Sequence, residues 1–247
     1  MKNNFFFKKE FSNIYKKPSA SSEVISQILY GEKFKILSKN KKWLRIKTIF
    51  DNYIGFIENK NYTNIFRPTH KVFRLKTKII DKSNNKKKYL PFASKISIIQ
   101  ESNHFFEYEK DKWVKKKDVK KITHVEKNYL KFLRLFINTK YVWGGKTYKG
   151  IDCSAILQLF FYYNNKFYPR DTKDQIRYSK KKFKQKNYKK GDVIFWKGHV
   201  AICLNSKKLI HAYGPEKKVL IMPIIKTIGK IKKTAKLSVK KVSSIRY

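Results

Sequence analysis

Residues 141–154 read Tyr141-Val-Trp-Gly-Gly-Lys-Thr-Tyr-Lys-Gly-Ile-Asp-Cys-Ser154, and the apolar run Ala155-Ile-Leu-Gln-Leu-Phe-Phe-Tyr-Tyr163 follows at once. Glycine-bearing turns at Gly144-Gly145 and Gly150 lead into a single cysteine, Cys153. The apolar run predicts a buried helix opening at Asp152 or Cys153. Asp152 has the side chain of an N-cap. A sulfur in the first helical turn faces the positive end of the helix dipole and unpaired backbone N–H groups, which predicts a thiol pKa lowered from roughly 8.5 toward neutrality. Such a thiolate attacks carbonyl carbon.

A nucleophile needs a base, and the chain has five histidines. His70, His104 and His124 lie upstream in segments of a different character. His199 and His211 follow the cysteine in apolar surroundings. Gly191-Asp-Val-Ile-Phe-Trp-Lys-Gly-His-Val-Ala-Ile-Cys-Leu204 predicts a strand, a tight turn at Lys197-Gly198, and a second strand that His199 begins. Lys208-Leu-Ile-His-Ala-Tyr213 predicts a third strand able to lie beside the second and bring His211 next to His199. Cysteine, base and orienting group then appear in chain order. On spacing alone His211 is equally a histidine satisfied within a strand. Cys203, mid-strand and without turn glycines, reads as inert core. A zinc site of Cys153, His199, Cys203 and His211 lacks the paired short spacings of structural zinc.

These residues with their flanks resemble the NlpC/p60 cysteine peptidases of bacterial cell-wall peptides. The resemblance includes Tyr141-x-Trp-Gly-Gly, Gly150-Ile-Asp-Cys-Ser154, Pro169-Arg-Asp171 with Gln175, Gly191-Asp192 through Phe195-Trp196, Gly198-His-Val200 and Leu209-Ile-His-Ala212. It spans most of residues 125–225. Ala155 departs from the pattern, where glycine is usual, and slightly crowds helix packing near the site. The resemblance implies a papain-like α+β domain, a helix bearing the cysteine on an antiparallel sheet. It makes Cys153 the nucleophile, His199 the base and His211 the orienter, with no metal or organic cofactor. Tyr141, Asp152, Ser154, Asp171 and Thr172 are the implied substrate-binding residues, and Arg170 also falls in the segment lining the pocket.

Upstream lies an internal repeat of about sixty residues. Tyr30-Gly-Glu-Lys-Phe-Lys-Ile-Leu37 aligns with Phe92-Ala-Ser-Lys-Ile-Ser-Ile-Ile99, Trp43-Leu44 with Phe105-Phe106, and Asp51-Asn-Tyr-Ile54 with Asp111-Lys-Trp-Val114. Each copy predicts three short strands and a small β-barrel. The repeat resembles the tandem bacterial SH3-like domains that precede the peptidase domain in dipeptidyl-peptidase members of the same family. The chain divides accordingly into 1–65 and 66–124, two SH3-like barrels, and 125–247, the peptidase domain. In that subgroup the first barrel closes the cleft, so the resemblance implies a peptide substrate with a free amino terminus. Glu32, Tyr53 and Asp152 are the candidates to read the ammonium. Asp152 is equally a helix cap, and the roles are compatible. The implied substrate is a muropeptide beginning L-Ala-γ-D-Glu, cut before its diamino acid.

Composition bounds the remaining classes. The chain has 247 residues, 41% hydrophobic and 16% aromatic, ample for several small cores. Its two cysteines supply no disulfide framework, and a catalytic thiol favours a reducing compartment. Met1-Lys-Asn-Asn-Phe-Phe-Phe-Lys-Lys9 carries only three consecutive apolar residues, against the roughly 7–15 of a signal-peptide core. A cytoplasmic enzyme without a membrane partner is the expectation. The formal charge of +43 invites a nucleic-acid reading. However, the lysines are spread through every segment, with runs at 86–88, 115–117 and 180–182, and form no single basic arm. A solvated lysine surface without a specific nucleic-acid partner is the simpler reading. Two other functions remain open on sequence: a secreted endopeptidase acting on intact peptidoglycan, and an inactive lysine-rich protein binding anionic wall polymer or nucleic acid.

Overall fold

The computed structural model describes residues 4–60, 62–83, 86–180 and 187–245. Residues 1–3 of the amino-terminal stretch and 181–182 of the third lysine run lie outside them. The architecture is α+β, in two compact units, Met1–Val125 and Glu126–Tyr247. No helix among the described residues is long and apolar enough to cross a membrane.

In the first unit, strands Asn4–Phe6, Phe11–Tyr15, Val24–Leu29, Lys33–Lys39, Trp43–Thr48 and Ile54–Glu58 form one antiparallel sheet. Their spatial order is first, fourth, fifth, sixth, second, third. Alternation shapes each strand: in Trp43–Thr48, Leu44, Ile46 and Thr48 are buried while Arg45 is exposed. Phe34, Leu44, Ile57, Ile14 and Ile28, from strands right across that order, meet in one cluster with Phe7 and Ile46. A single sheet can bring them together only by closing on itself as a barrel.

The same succession of pairings recurs in the second half. His70–Val72, Lys76–Asp81, Lys88–Pro91, Lys95–Ile96 with Gln100–Glu101, Phe105–Glu109 and Lys112–Lys115 take the six places in turn. The fourth strand is interrupted, which splits this copy into a three-stranded and a five-stranded sheet. Among the described residues each copy therefore fills six strand places where the repeat alone suggests three. The missing strands include Phe11–Tyr15 and Lys76–Asp81.

What the copies share most sharply is a turn. Gly31 and Ala93 occupy aligned positions, and both are left-handed, at φ 75° and 64°. Only glycine serves at position 31, because an added Cβ would sit 2.1 Å from the Lys95 carbonyl oxygen. Tyr30 extends from this turn into the second core, edge-on to Tyr108 at 5.4 Å, and donates its hydroxyl to Glu109 at 2.5 Å. The two barrels are thus joined through side chains the repeat itself supplies.

The described residues of the second unit form the α-helices α1 (Tyr129–Arg134), α2 (Cys153–Tyr163), α3 (Thr172–Tyr178) and α4 (Ile224–Ala235). Its antiparallel sheet runs in the order Lys218–Pro223, Lys208–Tyr213, His199–Cys203, Asp192–Trp196, Lys241–Ser244. Every residue of α2 is buried, and the helix packs against strands His199–Cys203 and Lys208–Tyr213. α4 presents Ile224, Thr227 and Ile231 at helical spacing as its buried residues. Ile224 and Ile231 join Ile194, Trp196, Ala201, Cys203, Leu209 and Tyr213 in one core. Burial of each such large apolar side chain contributes roughly 1.5–3 kcal/mol.

Candidate active site

Asp152 starts the site. Its extended backbone ends the short ribbon Lys146–Thr147/Gly150–Ile151, and its Oδ1 accepts the Ala155 N–H at 2.8 Å, capping α2. The same oxygen accepts from the Ser154 hydroxyl at 3.0 Å and from Arg170 Nη1 at 3.0 Å. Oδ2 accepts from Arg170 Nη2 at 2.6 Å and from the Gly144 N–H at 3.1 Å. Arg170 Nη1 also donates to Ser154 Oγ at 2.9 Å. Five donors fill a carboxylate with about four lone-pair sites. Asp152 and Ser154 are thus tied into one buried clamp with Arg170. The clamp holds the glycine turn, the start of α2 and the segment before α3 in one piece.

Cys153 occupies the first position of α2, 4% exposed. Its thiol lies 3.9 Å from the Gly198 carbonyl oxygen, the residue immediately before His199. Burial pushes the thiol up to about 12; the negative Asp152 adds to this, and the Val200 N–H, the Thr172 hydroxyl and Arg170 oppose it. The expected lowering toward neutrality is thus reversed. Desolvation of an anion in this closed site outweighs the donors that favour it.

The hairpin places His199. Trp196 and His199 pair across a turn in which Gly198 takes φ 75°. His199 is half-buried and His211, on the neighbouring strand, is fully buried. Their rings meet with His199 Nε2 2.9 Å from His211 Nδ1. His211 stacks on Tyr213 at 4.7 Å, and its Nε2 lies 3.4 Å from Met222 Sδ. Burial lowers His199 to about 4. Burial, the neighbouring His199 and the cationic Lys230 lower His211 to about 3. Both imidazoles are neutral at pH 7.

Tyr141 pairs with Ile151 by an isolated bridge beside the nucleophile's turn. Burial, then the charges of Cys153 and Asp152, raise its hydroxyl well above the ordinary value, so it stays a proton donor. Thr172 begins α3, and the carbonyl of Asp171 accepts from the Asp174 and Gln175 N–H groups. Gln175 ties α3 to the Ser154 and Pro169 carbonyls at 3.0 and 2.9 Å. Glu32 and Tyr53 belong to the first unit, where Glu32 accepts from the Leu29 N–H and Tyr53 donates to the Ile25 carbonyl. Cys203 is buried in the core of the sheet, and neither cysteine is in a disulfide. No cluster of three or more His, Cys, Asp or Glu among the described residues is arranged to hold a metal ion. Sequence reasoning missed Met222 and the clamp role of Arg170; the tie between Arg170 and Asp152 spans eighteen residues and carries no local pattern.

The NlpC/P60 family matches residues 138–235, and the bacterial SH3 domain matches residues 10–62. Similar proteins include "Dipeptidyl-peptidase 6" of Lysinibacillus sphaericus, 24% identical over 81% of this chain and 84% of its own length. "Gamma-D-glutamyl-L-lysine dipeptidyl-peptidase" of Bacillus subtilis is 23% identical over 82% and 77%. A crystal structure of an NlpC/P60 family protein from Bacillus cereus covers 99% of both chains with a TM-score of 0.83 at 17% identity, a likeness of fold. Residues 138–235, which carry Cys153, His199 and His211, are thus an NlpC/P60 domain, with a bacterial SH3 domain at residues 10–62 ahead of it.

Proposed function

We propose that this protein is a cysteine peptidase that hydrolyses the bond between γ-D-glutamate and a diamino acid in small peptidoglycan-derived peptides with a free amino-terminal L-Ala. The observation that carries the chemistry is the placement of a thiol at the start of α2, against the carbonyl of Gly198, with the next residue, His199, bonded to His211 at 2.9 Å. The substrate class is supported by the names of the two relatives above and by the sequence resemblance.

In this reading His199 takes the thiol proton as Cys153 Sγ bonds to the scissile carbonyl carbon, and the carbonyl π electrons move to oxygen. The Cys153 N–H, among the first-turn donors of α2 without an intrahelical acceptor, and the Tyr141 hydroxyl are the donors for that oxyanion. The tetrahedral centre collapses, the C–N bond breaks, and the imidazolium returns the proton to the leaving amine. Water, deprotonated by His199, then cleaves the thioester and regenerates the thiol.

The test is incubation with L-Ala-γ-D-Glu-diaminopimelate, its lysine counterpart, their N-acetylated forms and intact sacculi, beside Cys153→Ala. Release of L-Ala-γ-D-Glu from the free peptides, absent with the variant, is expected. Equal cleavage of N-acetylated peptide would remove the free-amine requirement, for which Asp152, Glu32 and Tyr53 are the proposed readers. Cleavage of sacculi in preference to free peptide would favour the wall-hydrolase alternative. A recycling role in the cytoplasm is part of the same proposal, and fractionation of the native host checks it.

A further inference from the structure

Behind the two histidines lies a group the mechanism above does not use. Strand Lys218–Pro223 pairs with Lys208–Tyr213 so that Leu220 sits opposite His211. Met222, two residues on, emerges on the same face and brings Sδ to 3.4 Å from His211 Nε2. We propose that Met222 is a positioning residue that sets the tautomers of the histidine pair. The proposal rests on the peptidase reading for its catalytic consequence, but not for its chemistry.

Methionine sulfur has no proton and can only accept, weakly. A hydrogen bond at this contact must therefore be donated by His211 Nε2–H. A neutral imidazole carries one ring proton, so His211 Nδ1 is then a lone pair. The 2.9 Å contact to His199 Nε2 is in turn donated by His199. That leaves the lone pair of His199 on Nδ1, the nitrogen still able to take a proton from the thiol. The opposite arrangement sets two lone pairs facing each other at Met222 and places a proton on His199 Nδ1, where a base needs none. The stacked Tyr213 ring restrains His211 from turning away. An amide or water behind His211 would accept or donate and so would hold either tautomer; a thioether holds one.

The experiment is long-range 1H–15N NMR of histidine-labelled protein at pH 7.5, where both rings are neutral. Both His199 and His211 are expected as the Nε2–H form. Met222→Leu keeps the apolar volume and removes the acceptor. His211 should then give mixed-tautomer shifts, and kcat should fall about tenfold with KM little changed, the loss expected for one modest hydrogen bond. The chain contains only two methionines, Met1 and Met222. Selenomethionine protein, whose selenium also only accepts, should therefore match wild type and serve as the conservative rescue. An Nδ1–H form of His211 in the wild type overturns the proposal, as does a Met222→Leu protein with unchanged spectrum and kcat. Should Met222→Leu not fold, the wild-type spectrum alone decides. Should the protein cleave none of the peptides, the peptidase reading fails while the tautomer measurement still decides Met222.

Discussion

Arg170 and Asp152 show how tightly single residues are committed in this site. Their side chains are 1% and 8% exposed and form a two-pronged ion pair. Removing one partner strands the other charge without solvent. Arg170→Met should destabilise the protein by about 3–5 kcal/mol in urea unfolding, and adding Asp152→Asn should recover part of that loss. If Arg170→Met unfolds at the wild-type midpoint, the clamp contributes nothing. The histidines make a second residue-scale prediction. Their folded values, about 4 and about 3, lie below the ordinary 6.5. Between those limits the unfolded chain binds protons that the folded chain refuses. Stability is thus fully present above about pH 6.5 and falls as the pH drops toward 3, by on the order of a few kcal/mol in all. His211→Gln should flatten that slope in thermal melts recorded from pH 7 to 4.

At the scale of elements, the hairpin turn at Gly198 and the amphipathic α4 are the parts whose local rules are plainest. An added Cβ at Gly198 meets nothing within 4 Å, so the cost of Gly198→Ala is backbone strain alone, about 1–2 kcal/mol. Because His199 follows directly, the larger effect should appear in kcat. A variant of normal activity would show that the turn does not aim the base. In α4, Ile231 is 3% exposed against the sheet, and Ile231→Ala should cost about 2–5 kcal/mol in denaturant unfolding. Much of this was legible beforehand. α2, the hairpin and strand Lys208–Tyr213 follow from an apolar run after an N-cap and from β-rich runs between turns. The additional barrel strands were not, since segments such as Lys76–Asp81 alternate lysine with apolar residues in too short a window to stand out.

Across the whole molecule, a charge of +43 is carried by lysines on both units. A diffuse surface of this kind should bind anionic polymers without sequence preference, and retention on a phosphate resin should fall steeply between 50 and 200 mM salt, roughly as counterion release requires. Binding that persists through that range would point to a built anion site instead.

The sequence by itself marked a boundary at residue 125, an upstream repeat that aligns Gly31 with Ala93, and Cys153, His199 and His211 as candidates. Each of these is written in local pattern: a cap and apolar run, a tight turn, an internal alignment. Only the tertiary structure decided how the polar groups are paired. The five donors on Asp152 come from Gly144, Ser154, Ala155 and Arg170. Met222 reaches His211 from a strand that the sequence reading did not place. The thiol's direction of shift was decided there too, because desolvation depends on what surrounds a group in space, while a helix start can be read from its neighbours in the chain.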